Sequence, residues 1–454
     1  MAETGGSLHA GLKQRHLTMI AIGGVIGAGL FVGSSAVIGE VGPLAFLTYA
    51  VTGLLIVMVM RMLGEMAAAN PSTGSFTEYA RLAMGDWAGF TAAWLYWYFW
   101  VIVVGFEAVA GAAILQKWLP GVPLWAMALG LMLLMTASNL FSVKSFGEFE
   151  YWFAGIKVAA IIAFLIIGGA YVFGLWPGKG PDFSNLSAGG DYFPHGTAAI
   201  FSGIVVVVFS MVGAEIATIA AAESEDPANA IVKATRSVVI RIMIFYVGAI
   251  FLLTCILPWN SLKPGASPFV AALEKIGLPG TGDLMNAIVL TAVLSCLNSG
   301  LYTASRMLFV LANRNEAPAA LTTTTPSGVP ARAILASTLV GYLAVIAAYI
   351  SPDTVFSFLL NSSGAIILFV YLMIAISQLI LRPRTPPERL KIKMWFFPVL
   401  TILTIAGMLA VLVMMAFRDA ERSQLLLSLF SAAIVVGTYF VFLRPSRRAA
   451  AQEA

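Results

Sequence analysis

Twelve predominantly apolar runs of 18 or more residues divide this 454-residue chain, and no other feature constrains its fold as much. They lie near 17–38, 42–68, 88–116, 122–142, 150–174, 196–221, 237–258, 284–312, 332–350, 354–381, 395–416 and 423–443. About 20 apolar residues in a helix span the hydrocarbon core of a bilayer. Lipid offers no partner for backbone N–H and C=O groups, so each run has to satisfy its own as a helix. The expected fold class is an all-α membrane protein with 12 transmembrane helices. Composition agrees: 59% of residues are hydrophobic and 11% charged, against about 45–50% and 25% in soluble domains. That balance argues against a cytosolic enzyme.

An even number of crossings places both termini on one side. Under that alternation Lys117, Lys179, Lys263, Lys275, Arg418 and Arg422 fall on one face, and the other 20 of the 26 Lys and Arg residues fall on the opposite one. The positive-inside rule then puts both termini in the cytoplasm, with residues 1–16 and 444–454 as tails around a single membrane domain, 17–443. Residues 1–16 show no short apolar core with a cleavage site, so the first run reads as a retained helix. The longest connections, about 175–195 and 259–283, are too short for a separate domain, and Pro258, Trp259, Pro264 and Pro268 favour turns at the membrane surface. The net charge of +4 is scattered and gives no nucleic-acid footprint. Cys255 and Cys296 lie in different runs and only three histidines exist, so neither a disulfide framework nor a zinc site is expected, and no cofactor. Trp94, Tyr96, Trp97, Tyr98 and Trp100 read as interface anchors or packing residues rather than a substrate box.

Two runs contain interruptions. Gly23-Gly24-Val25-Ile26-Gly27-Ala28-Gly29 places four glycines in seven residues, each costing about 1 kcal/mol against Ala inside a helix. Close helix packing through Gly23-xxx-Gly27 is the alternative reading. In the sixth run, Phe209-Ser210-Met211-Val212-Gly213-Ala214-Glu215 puts a carboxylate beside glycine within an apolar segment. An ionisable group there costs at least ~2.5 kcal/mol facing lipid, so a cavity or partner is expected. The interruptions are five helices apart. Transporters built from inverted repeats place the broken first helix of each repeat face to face at the midplane. This predicts repeats at about 17–174 and 196–381, with helices 11 and 12 (395–443) added. Free N–H groups near Ile26 to Gly29 suit a carboxylate, and carbonyls around Phe209 to Val212 suit an ammonium. A zwitterion fits both.

Several motifs carry a family resemblance over about residues 12–443: Leu12-Lys13-x-Arg15-His16 before the glycine cluster, Pro71-x-Thr73-Gly74-Ser75-Phe76, Gly147-Glu148-Phe149-Glu150-Tyr151-Trp152, Gly213-Ala214-Glu215-Ile216 with Ala220-Ala221-Ala222-Glu223-Ser224, and Ser295-Cys296-Leu297-Asn298-Ser299 with Tyr302-Thr303-Ala304-Ser305-Arg306-Met307-Leu308. The chain resembles the amino-acid permeases of the amino acid–polyamine–organocation superfamily. The last two runs are similar to its bacterial 4-aminobutyrate (GABA) subgroup rather than to aromatic or cationic amino-acid permeases. The resemblance implies a LeuT-like fold with a 5+5 inverted repeat plus two helices, and proton-coupled uptake of a small amino acid across the bacterial cytoplasmic membrane. It leaves the oligomeric state open.

By that resemblance Gly24, Val25, Ile26, Gly27, Ala28 and Gly29 correspond to the substrate-carboxylate segment, and Phe209, Ser210, Gly213 and Glu215 to its counterpart in span six. Glu107, in span three, stands out as the other acidic residue deep in the apolar core. It is either a proton carrier, an amine ligand or a hydrogen-bonded structural carboxyl. Lys157 in span five stands where sodium-coupled relatives bind a cation, so its ammonium replaces sodium or else snorkels to the interface. Cys296 and Ser299, three residues apart on one helical face, are pocket neighbours or packing residues. Glu107, Lys157 and Glu215 are thus the proton-coupling candidates. Glu223, Glu225 and Asp226 beside Lys233 and Arg236 form either a cytoplasmic gate or a solvated loop. An amino-acid/amine exchanger of the same fold is the main rival function. A channel fits paired broken helices less well, and no HExxH or Gly-x-Ser-x-Gly motif supports an enzyme.

Overall fold

The computed structural model describes residues 26–72, 74–141, 143–187, 191–216, 226–326 and 328–444. Among the described residues all regular structure is helical. The first half contains α1 (Ala28–Phe31), α2 (Ser34–Val41), α3 (Ala45–Ala69), α4 (Ser75–Met84), α5 (Asp86–Leu115), α6 (Leu124–Phe141), α7 (Val143–Val172) and α8 (Ala199–Ser210). The second contains α9 (Pro227–Arg241), α10 (Ala249–Ile256), α11 (Pro268–Ile276), α12 (Thr281–Asn313), α13 (Ala331–Ile350), α14 (Pro352–Leu381), α15 (Val399–Phe417) and α16 (Asp419–Thr438). Eleven helical stretches are long and apolar enough to cross a membrane, and Ala28–Val41 is a shorter apolar segment. Residues 17–25 of the first expected span, Gly24 and Val25 included, lie outside the described residues.

Most helices start and stop near the limits of their apolar runs. The seventh is an exception, because its membrane stretch begins at Ala228 and not at 237. Its first turns, from Pro227 to Arg236, carry polar residues that hydropathy does not register as part of a span. The Asp226 side chain accepts from the Asn229 amide and Pro227 takes the first helical position, a standard pair of start signals. The helix continues to Ile256 through a wider π-type stretch, Ile242–Gly248, that carries Tyr246.

The central elements are α5 and the Ala199–Ile216 stretch, whose apolar windows are each 83% buried, whereas that of Glu421–Leu443 is 17% buried. Leu409, Val413, Phe430 and Ile434 on α15 and α16 are exposed, a surface that lipid has to cover. Near the end of α3, buried Glu65 accepts from Gln378 Nε2 at 2.8 Å and from the Met394 amide at 2.5 Å, and it pairs with Arg382. Arg61 stacks on Trp395 one turn away. Together these contacts fasten α3 to α14 and to the connection leading into α15.

Candidate substrate-binding site

Of the first anticipated interruption, Gly23–Gly29, the described part begins at Ile26, with helical backbone from Ala28; the second bends the chain and packs against it. Helix α1 is a single turn that gives way at Val32 and Gly33 before α2 resumes at Ser34. Helix α8 stops at Ser210, the chain turns through Met211 to Gly213, and helical backbone restarts at Ala214. Gly213 adopts φ +97°, a left-handed conformation that favours glycine. A Cβ on Gly29 would lie 2.8 Å from the Ser210 Cα. The two backbones therefore touch because no side chain stands between them.

The start of α1 is occupied by a carboxylate from the protein itself. Both oxygens of Glu107, which is 1% exposed, lie 3.2 Å from the Ala28 amide. The first amides of a helix lack intrahelical acceptors and sit at its positive end, so an anion is held well there. Gly27 permits this approach, since a Cβ would meet Glu107 Oε1 at 2.6 Å and the Cys296 side chain at 2.8 Å. The Cys296 thiol sits within hydrogen-bonding reach of the same carboxyl.

These groups line a small cavity of about 20 Å³ between Gly27 and Gly29 of the first broken helix and Phe209, Ser210 and Val212 of the second. Phe99, Trp100, Val103 and Glu107 of α5 and Cys296 of α12 close it. Its volume leaves room for about one water molecule, well short of the roughly 300–1,000 Å³ typical of open small-molecule sites. The sequence reading missed Phe99, Trp100 and Val103. The Trp94–Trp100 cluster reads in the sequence as anchors or packing residues; Tyr96 and Trp100 are buried, and Trp100 lines the cavity. Trp94 and Trp97 instead donate to the Glu316 carbonyl and to Ser337 Oγ, away from the cavity. Spacing along α5 separates these groups: Phe99, Trp100, Val103 and Glu107 share the inward face.

Glu215, also 1% exposed, does not line the cavity. Its carboxylate accepts from the Gly213 amide at 3.0 and 3.1 Å, from Tyr96 Oη at 3.0 Å and from Tyr371 Oη at 3.2 Å. A charge buried in this way needs several donors, and it receives them from three different spans. Tyr96 packs edge-on against Trp100, so the Glu215 network stands directly behind the cavity wall. On the other side of the break, Tyr246 donates to the Ser210 carbonyl at 2.9 Å.

Lys157 is fully buried and does not reach the cavity. Its ammonium donates to Ser295 Oγ at 2.9 Å and lies 3.8 Å from Glu150 Oε1. Cys296, the next residue after Ser295, is therefore the link between this cluster and the cavity. Ser299 is buried on α12 and does not line the cavity; its Oγ has no hydrogen-bond partner among the described residues. Glu107 and Glu215 are not the only acidic groups in the interior, because Glu65 and Glu150 are buried too. Their sequence neighbourhoods are more polar, which hid them.

Of the residues considered for a cytoplasmic gate, Glu223 and Glu225 lie outside the described residues. Asp226 accepts from Asn229 Nδ2 at 2.6 Å and the Asn229 amide at 3.4 Å, which holds its carboxyl below the usual carboxylate range. Among the described residues no ion pair joins it to Lys233 or Arg236. It works as a helix cap.

Interrupted helices meeting around a small cavity are an arrangement that membrane carriers use. The family model for amino acid permeases matches residues 16–449, and the chain belongs to that family. It is 56% identical to the gamma-aminobutyric acid permease of Bacillus subtilis, over 97% of this chain and 95% of that protein. It is 48% identical to the gamma-aminobutyric acid permease of Escherichia coli, over 92% and 91% of the two chains. A third relative, the aromatic amino acid transport protein of Corynebacterium glutamicum, is 41% identical over 96% and 95%. The chain is thus a permease and not an enzyme.

Proposed function

We propose that this permease imports a small zwitterionic amino acid, GABA foremost, together with a proton, by alternating access in the bacterial cytoplasmic membrane. In this reading the fold is the LeuT-like arrangement of 12 spans, with repeats at about 17–174 and 196–381, both termini cytoplasmic, and the proton as coupling ion with no cofactor. The observation that carries it is the Glu107 carboxylate on the Ala28 amide, at the wall of a small cavity between two broken helices. The names of the relatives support GABA over bulkier substrates.

The chemistry follows from competition for one site. While Glu107 is ionised it occupies the helix start that a substrate carboxylate needs. A proton on Glu107 removes that charge, releases the Ala28 amide and lets the substrate carboxylate take its place beside Gly27 and Gly29. The ammonium, three carbons away in GABA, then faces the Phe209–Val212 turn and the ring faces of Trp100 and Phe99, which attract cations. The substrate consequently binds the protonated carrier, which can exchange it for another substrate molecule or, once emptied, give up the proton. The spans containing α1 and α8, with their neighbours α3 and α9–α10, rock against the remainder to expose the site to either side. Glu215 holds the second break in shape through Gly213, Tyr96 and Tyr371. Coupling needs each ligand to favour one state over the other, and the shared helix start supplies that difference.

Purified protein in liposomes tests this. Saturable GABA uptake driven by an imposed pH gradient without sodium is expected, with β-alanine competing better than proline, phenylalanine or lysine. Uptake of bulky aromatic amino acids without GABA would overturn the substrate assignment, and strict sodium dependence would overturn the coupling. Uptake only into vesicles preloaded with amino acid or amine would make the chain an exchanger.

A further inference from the structure

Lys157, Ser295 and Glu150 form a buried polar group that the binding reaction leaves unused. Glu150 and Lys157 are both 0% exposed, and they stand two turns apart on α7. Ser295 of α12 sits between them: its hydroxyl donates to Glu150 Oε1 at 2.6 Å while accepting from Lys157 Nζ at 2.9 Å. The direct ammonium–carboxylate separation is 3.8 Å. Glu150 Oε2 is buried with no hydrogen-bond partner among the described residues. A carboxylate oxygen left in that state is rare and needs an explanation.

We infer that Glu150 is the proton acceptor for Lys157, reached through the Ser295 hydroxyl, and that the amine so formed takes over the proton carried in on Glu107, which discharges it from the binding site. The inference rests on the proton-coupled reading above. In the step, an N–H bond of the Lys157 ammonium breaks as its proton passes to Ser295 Oγ, and the hydroxyl's own proton passes to Glu150 Oε1. The serine ends as it began, no electrons leave the set, and an ion pair becomes an amine and a carboxylic acid. Two charges that were costly to hold in the interior are then both neutral. Glu150 lies about 10 Å nearer than Lys157 to the start of α7, the end that the Lys and Arg distribution turns toward the cytoplasm. Rotation of the neutral carboxyl group then brings the protonated oxygen to the unpartnered Oε2 position, from which the proton leaves. Other titratable groups bear on the cluster: Glu107 of α5 and Cys296 of α12 both interact with Lys157, and Cys296 also with Glu150. Among the remaining elements packed on α7, Tyr246 is engaged at Ser210, while Cys255, Glu274 and Lys275 lie toward its far end. Helix α6 contributes none.

Two assays on the full chain in liposomes separate discharge from transport as such. One is GABA accumulation under a pH gradient; the other is counterflow of labelled GABA into preloaded vesicles at equal pH, where the loaded carrier shuttles without discharging. Glu150→Gln should retain counterflow within about twofold and lose accumulation by about tenfold or more. Ser295→Ala should follow the same pattern. Accumulation by Glu150→Gln equal to that of the unaltered chain overturns the inference, and so does a parallel loss of both activities in folded protein. Should Glu150→Gln not fold, Ser295→Ala decides: undiminished accumulation overturns the inference and selective loss supports it. Failure of the unaltered chain to accumulate GABA under a pH gradient instead sinks the proton-coupled reading, and this step with it.

Discussion

Glu107 caps the half-helix that begins at Ala28, with both carboxylate oxygens 3.2 Å from its amide. An amide in place of that carboxylate keeps one acceptor and loses both the charge and the exchangeable proton. Glu107→Gln should therefore bind GABA with little difference between acid and neutral pH. Its accumulation under a pH gradient should fall by about tenfold or more, equivalent to about 1.4 kcal/mol or more. Binding measured by calorimetry at two pH values, alongside liposome uptake, checks both halves.

Gly29 and Gly39 make a matched pair. A methyl group on Gly29 would be driven against the Ser210 backbone, whereas one on Gly39 meets nothing within 4 Å. Overpacking of this kind costs about 1–3 kcal/mol, while alanine in an open helical position is neutral or slightly stabilising. Gly29→Ala should lower the melting temperature in detergent and abolish uptake. Gly39→Ala should leave both intact.

The hydroxyls of Tyr96 and Tyr371 each donate to Glu215. Removing a hydrogen bond to a charged group costs about 1.5–3 kcal/mol. Tyr371→Phe and Tyr96→Phe should each destabilise the protein by about that amount, and the double variant should depart from additivity because both act on one carboxylate. Glu215→Gln should fold and lose most uptake; near-normal active uptake would remove Glu215 from the mechanism.

Asp226 gives a pH-dependent local signal. Its carboxyl is held below the ordinary range by Asn229, so the cap contributes fully above the unfolded value and is lost as pH falls through the lowered one. Protection of the Asn229 and Ala230 amides against hydrogen exchange, taken relative to the unstructured rate at the same pH, should fall in acid in the unaltered chain. In Asp226→Ala it should be low at neutral pH as well.

Much of this architecture is legible in the sequence because the bilayer makes one demand of every span, and a run such as 332–350 meets it almost residue for residue in α13. The start of α9 escaped because a capped, amphipathic helix leaves no mark on hydropathy. At the site, Glu107 and Glu215 were visible as lone carboxylates among apolar neighbours. Tyr371 was not, since a tyrosine inside an apolar run carries no charge to betray its partner. Glu150 stands within a motif that shows no role for it, because its contact is with Ser295, 145 residues away. Sequence spacing does not encode such a pairing.

The meeting of Gly29 with Ser210 has a mechanical side. Where side chains separate two rods, a change of rotamer can absorb a small displacement. Main chain resting on main chain has no such slack. The two severed rods must therefore travel as a single piece, like the pin of a hinge, and whatever tilts one tilts the other at once.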